Sequence, residues 1–84
     1  MPYFVYILES FKDHTHYVGS THNLNDRLKR HNEGRVKYTK PRRPWKLVYF
    51  EEHLDRSSAV KRETVIKAHK RKGFIEALIK NFEP

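Results

Sequence analysis

Residues 3–9 (YFVYILE) form an apolar run of β-branched and aromatic side chains with no breaker. Apolar residues at successive positions occupy both faces of a strand, so the run predicts a well-buried one. Residues 10–15 are polar and predict a loop. Residues 16–20 (HYVGS) predict a second, shorter strand. So short a connection implies an antiparallel hairpin. The period then changes. Leu24, Leu28 and His31 stand at i, i+4 and i+7, after the N-cap candidates Thr21, His22 and Asn23. Gly34 sits where a helix C′ glycine belongs, so a helix is predicted over residues 23–32. Residues 35–44 (RVKYTKPRRP) are basic, contain proline and predict a loop. Residues 45–52 (WKLVYFEE) predict a third strand. Asp55 or Ser57 can cap a helix over residues 58–70, and Gly73 separates it from a shorter helix over residues 74–82. The order is β-β-α-β-α-α. It describes an α/β (α+β) layer domain, a three-stranded, mostly antiparallel sheet flanked by helices.

Composition narrows the function classes. A chain of 84 residues is expected to make one domain, residues 1–84, with one modest core. Cysteine is absent, which rules out disulfides and thiolate metal sites and suits a reducing cytoplasm. No apolar run approaches membrane-spanning length. Met1-Pro2-Tyr3-Phe4-Val5 lacks the basic stretch that opens a signal peptide, so a cytoplasmic location is expected. Eighteen Lys and Arg against ten Asp and Glu give a net charge of +8, which favours a polyanionic partner. The plainer alternative is a basic protein with no special partner. A membrane surface fits less well, because the cations are interleaved with Trp, Tyr and acids.

Three groups of residues carry candidate chemistry. Ala59, Glu63 and Ile66 share one face of the second helix, which places a carboxylate in a core-facing stripe. Such a group needs a partner or a cation. The structural alternative is an ion pair with Lys67, worth only about 0.2–0.5 kcal/mol. Arg27 and His31, four residues apart on the first helix, make either a surface cation beside an imidazole or a phosphate clamp. Tyr6 and Tyr17 fall in neighbouring strands, and their hydroxyls need partners if buried. The basic loop adds Arg35, Lys37, Lys40, Arg42, Arg43 and Lys46, with Tyr38 and Trp45 among them. Cations interleaved with aromatics suit a groove that tracks a nucleic-acid backbone while bases stack. Trp45 can equally begin its strand in the core. His14, His16 and His22 are close in sequence, but no cysteine or paired carboxylate completes a zinc site, and a polar hairpin loop is expected there.

In combination these residues resemble the GIY-YIG nuclease superfamily. The first motif appears as Phe4-Val5-Tyr6 and the second as Tyr17-Val18-Gly19, with ten residues between them. Arg27 follows the motif glycine by eight residues, and Lys61-Arg62-Glu63 is similar to the helix that bears the family's metal-binding Glu. The loop from Lys37 to Tyr49 is similar to that of small stand-alone bacterial members. The first motif departs from the pattern in having Phe4 for its glycine. Homing-type members carry a further asparagine late in the domain, for which Asn81 is the candidate.

The resemblance implies a GIY-YIG fold and an endonuclease that hydrolyses DNA phosphodiesters with one divalent ion, Mg²⁺ or Mn²⁺. Glu63 would hold the metal, Tyr6 would activate the water and Tyr17 would flank it. Arg27 would neutralise charge growing on the phosphate, and His31 would orient Arg27 or a tyrosine. Gly19, Lys37, Tyr38, Lys40, Arg42 and Arg43 would contact the nucleic acid. These groups are expected to converge on one pocket, which requires Glu63 and Arg27 on the same side of the sheet. A phenol activated by ionisation implies a rate that rises from pH 7 toward 9. So small a module would cut with low sequence preference, recognise a DNA structure as in repair, or borrow specificity from a protein partner. RNA is an alternative substrate, and a monomer is expected. The competing reading is a nucleic-acid-binding module with little or no catalysis.

Overall fold

A computed structural model describes residues 1–69 and 73–82. Strands β1 (Tyr3–Ser10), β2 (His16–Thr21) and β3 (Trp45–His53) form one antiparallel sheet in the order β2-β1-β3. Helices α1 (Leu24–Asn32), α2 (Arg56–Ala68) and α3 (Phe74–Lys80) complete the expected order, with a 3-10 turn at Lys40–Arg42 inside the basic loop. Helix α2 begins two residues earlier than the sequence pattern suggested, because Asp55 is its N-cap and accepts the Ser58 N–H at 2.9 Å. Lys70, expected in this helix, lies outside the described residues. Among the described residues no helix is long and apolar enough to cross a membrane.

The unbroken apolar run of β1 is explained by its central place. Val5 and Ile7 face one side and pack with Val18, Ala59, Ile66 and the apolar face of α3. Tyr6 and Leu8 face the other and pack with Trp45, Leu24 and Leu28. Helices α2 and α3 therefore cover one face of the sheet and α1 the other. The pairing of β1 with β3 slips by one residue, Ile7 opposite Tyr49 but Leu8 opposite Leu47. Val48 is the extra residue of a bulge, and Val48 and Tyr49 both face the α2 side. The slip turns Leu47 and Trp45 toward α1.

The end of α1 is built as its sequence predicts. Gly34 adopts φ +79° at C′, with Gly34 N–H bonded to the His31 carbonyl and Arg35 N–H to the Arg30 carbonyl. The Asn32 side chain then brackets Trp45. Its Oδ1 accepts the Trp45 N–H at 2.6 Å and its Nδ2 donates to the Trp45 carbonyl at 3.0 Å. This ties the helix that carries Arg27 and His31 to the start of β3.

Candidate active site

Tyr6 and Gly19 are directly paired across β1 and β2. The Tyr6 ring lies over the glycine toward the outer edge of β2. A Cβ at position 19 would stand 2.5 Å from the Tyr6 hydroxyl and 2.7 Å from Cζ. The glycine of the second motif is thus needed for space. The Tyr6 oxygen meets His31 Nε2 at 3.1 Å, and His31 Nδ1 meets the Thr39 hydroxyl at 2.8 Å. Thr39 Oγ donates to the Val36 carbonyl at 3.3 Å, and Trp45 Nε1 donates to the Thr39 carbonyl at 2.9 Å. Tyr6, His31, Thr39 and Trp45 are all buried. Trp45 thus belongs to the core, the second of its two sequence readings.

Burial dominates the electrostatics. It depresses the His31 pKa to about 4, aided by the Arg27 and Arg30 charges, so the ring is neutral at physiological pH. Burial likewise pushes the Tyr6 phenol well above its ordinary value, with Tyr17 adding to the rise. Arg27 pulls that pKa down and Glu63 pushes it up, so both charges act on the same hydroxyl. The net direction corrects the expectation of a readily ionised phenol and removes the basis for a rate rising between pH 7 and 9.

Arg27 projects from α1 beside Tyr6. Its Nε is buried and, among the described residues, is the one buried side-chain polar atom without a hydrogen-bond partner. Tyr17 borders the same space, its ring 4.9 Å from His31 and 6.0 Å from Tyr38. Lys67 Nζ lies 6.0 Å from the Tyr17 ring centroid.

Glu63 is reached around the edge of the sheet. It rises from α2 and accepts the Ser20 hydroxyl at 2.7 Å on Oε1, while Lys67 Nζ approaches Oε2 at 2.6 Å. Ser20 is paired with Val5 and points to the α2 side, opposite Gly19. Glu63 and Arg27 therefore sit on opposite faces, contrary to the single-pocket expectation. Both nonetheless act on the Tyr6 hydroxyl, because β2 is an edge strand, and the space above Gly19 is filled by the Tyr6 ring rather than left for a substrate backbone. A groove of about 480 Å³ lies beside these groups, lined by Tyr17, Val18, Tyr38, Ile66, Lys67 and Ile75 among others, and Tyr6, Gly19, Arg27 and Glu63 do not line it.

The basic loop divides. Lys37, Tyr38 and Lys40 are exposed. Arg42 is paired with Asp13 at 3.1 Å, and Arg43 donates to the Lys40 carbonyl at 2.9 Å while lying against Gly34. The last two thus have internal structural work. His14 and His16 both contact the Glu9 carboxylate, at 3.2 and 3.1 Å. Among the described residues no group of three or more His, Asp or Glu is placed to hold a metal. Asn81 follows α3 and is exposed. Ser20 and Thr39 escaped the sequence reading. Strand alternation already set Ser20 opposite Gly19, whereas nothing in the sequence marks Thr39.

Comparison with known proteins bears on the family and the fold. Residues 2–76 match the family model described as the GIY-YIG catalytic domain. A UPF0213 protein of Syntrophus aciditrophicus is 44% identical over 82 residues, covering 95% of this chain and 93% of that protein. One from Pediococcus pentosaceus is 41% identical over 80 residues, covering 94% of this chain and 83% of its own. The solution NMR structure of a UPF0213 protein from Bacillus halodurans superposes with a TM-score of 0.60 at 32% identity, covering 100% of this chain and 89% of the other. With the domain match spanning most of its length, this chain belongs to the GIY-YIG family.

Proposed function

We propose that the chain is a divalent-cation-dependent endonuclease that hydrolyses DNA phosphodiester bonds at the open edge of β2, with low sequence preference or selection by DNA structure. The observation that carries this reading is the buried, unpartnered Arg27 Nε beside the Tyr6 hydroxyl. That Nε is shut from solvent and the group already bonds the Tyr6 hydroxyl, so phosphate oxygens would meet the terminal nitrogens of the guanidinium, which can bind two of them at once. Arg27 neutralises charge that develops on the phosphoryl group, a role whose loss costs on the order of 10²–10³ in rate. The Tyr6 oxygen takes a proton from the attacking water while its own proton passes to His31 Nε2, so no free phenolate has to form. Tyr17 walls the water in. Lys37, Tyr38 and Lys40 hold the substrate strand along the groove.

The Glu63 carboxylate and Ser20 hydroxyl are oxygen donors that fit a hard cation retaining most of its waters, Mg²⁺ or Mn²⁺. Held there by Glu63 and Ser20, such an ion would supply charge neutralisation at the leaving oxygen. The Lys67 partner does not bar it. Lys67 is 50% exposed, and an i,i+4 pair of that kind is worth about 0.3–0.5 kcal/mol.

The same ion pair is the observation behind a second reading, a DNA-binding module in which Glu63 is only structural. One assay separates the two. Single-stranded, duplex and branched DNA are incubated with Mg²⁺ or Mn²⁺ and wild type, Glu63→Ala or Arg27→Ala. The nuclease reading expects metal-dependent cutting by wild type that both substitutions abolish or reduce at least 100-fold. Binding without cutting by all three proteins selects the module.

A further inference from the structure

We propose that Thr39 is a positioning residue of this site, its buried hydroxyl holding the His31 ring in the Nδ1–H form so that Nε2 stands as the acceptor for the Tyr6 proton. The inference rests on the nuclease reading for its consequence in rate and on geometry alone for the tautomer. A threonine hydroxyl has one hydrogen and two lone pairs. Thr39 Oγ lies 3.3 Å from the Val36 carbonyl, which can only accept, and 2.8 Å from His31 Nδ1. Directing the hydrogen to Val36 leaves a lone pair for Nδ1–H, and Nε2 is then unprotonated and accepts from Tyr6 at 3.1 Å. In the opposite tautomer Nε2–H faces the Tyr6 oxygen, Nδ1 no longer needs Thr39 as an acceptor, and the buried Tyr6 hydrogen loses Nε2, the acceptor it has among the described contacts.

Thr39 has little freedom to do otherwise. Its N–H bonds back to the Val36 carbonyl at 3.2 Å, and its carbonyl is held by Trp45 Nε1 at 2.9 Å. Its side chain is fully buried. In the transfer the Tyr6 O–H bond breaks and an Nε2–H bond forms. The resulting imidazolium keeps its Nδ1–H on Thr39, so one hydroxyl serves the ring before and after. Thr39 lies between Tyr38 and Lys40, within the loop assigned to the substrate strand. The segment that grips DNA is therefore the segment that sets the proton acceptor.

The test uses the full chain labelled with ¹⁵N-histidine, as wild type, Thr39→Val and Thr39→Ser, with cleavage of a DNA oligonucleotide measured in Mg²⁺. Wild type and Thr39→Ser should show the protonated nitrogen of His31 at Nδ1. Thr39→Val should lose that signature and drop kcat by roughly 10- to 100-fold with KM little changed, as when a partner that orients a functional histidine is removed. A wild-type Nε2–H form overturns the proposal, and so does a Thr39→Val protein with unchanged tautomer and rate. Thr39→Ser as impaired as Thr39→Val also overturns it. Absence of cutting by wild type counts against the nuclease reading alone, because the NMR arm still decides what Thr39 does. Should Thr39→Val fail to fold, the wild-type and serine spectra decide it.

Discussion

At Gly19 one methyl group decides where the Tyr6 ring can lie. Gly19→Ala places a carbon 2.7 Å from Tyr6 Cζ, so the ring must lift off β2 and its contact with His31 stretches. Overpacking of this kind costs about 1–3 kcal/mol. A displacement of about 1 Å at a reacting group costs on the order of 100-fold in rate. The variant should stay folded by circular dichroism and cleave roughly 100-fold more slowly. Near-wild-type cleavage would remove Tyr6 from the mechanism. His31 gives a second expectation at this scale. Its pKa in the fold, about 4, is below its ordinary 6.5, so the unfolded chain binds more protons between those values. Stability should therefore fall as pH drops from about 6.5 to 4, where Arg27, Arg30, Tyr6 and Tyr17 surround the ring and none offers a counter-charge. His31→Gln should flatten that limb in thermal melts at pH 7 and pH 4.5. The same neutral acceptor makes the cleavage rate level between pH 6 and 9. Tyr6, Tyr17, Arg27, His31 and Glu63 stand out in the sequence as candidates because their types and spacings match one family pattern, but the separation of Glu63 from Arg27 by the sheet could not be read there. Thr39 does not stand out, since a hydroxyl in a loop declares nothing until the ring beside it is known.

At the scale of elements, α1 depends on its ends. Asn23 caps it by accepting the Asp26 N–H at 3.0 Å, and Asn32 fastens its other end to Trp45. Asn23→Ala should cost about 1 kcal/mol, which lowers Tm by roughly 4–8 °C in a chain of this size. An unchanged Tm would mean that packing alone holds the helix start. Both termini could be read in advance, because N-cap chemistry and a C′ glycine are local rules. The bulge at Val48 could not. WKLVYFEE reads as an ordinary apolar strand, and only the demand of α1 for Leu47 and Trp45 on its own side forces the slip. Nor could the faces of α1 and α2 be assigned, because both helices present an apolar stripe and the sequence does not say to which side of β1 each returns.

For the whole molecule, the charge of +8 favours a polyanionic partner, which on the proposed reading is DNA. Six loop cations engaging at once would give a steep salt dependence. Internal bonds to Arg42 and Arg43 reduce the free set. If about three cations engage phosphate, log K should fall with log salt at a slope of roughly −3, measured by fluorescence anisotropy on duplex DNA. Lys40→Ala should make it shallower by about one unit, and a wild-type slope near zero would discard the electrostatic groove.

Among the described residues the rim of β2 carries no further strand, and a sheet margin of that kind ordinarily invites pairing with another chain. Here such pairing would lay a foreign backbone over Gly19 and shut Tyr6 away from any phosphate. On the proposed nuclease reading, self-association through β2 therefore competes with turnover. A short peptide that extended the sheet at β2 would act as an inhibitor without touching a single catalytic side chain.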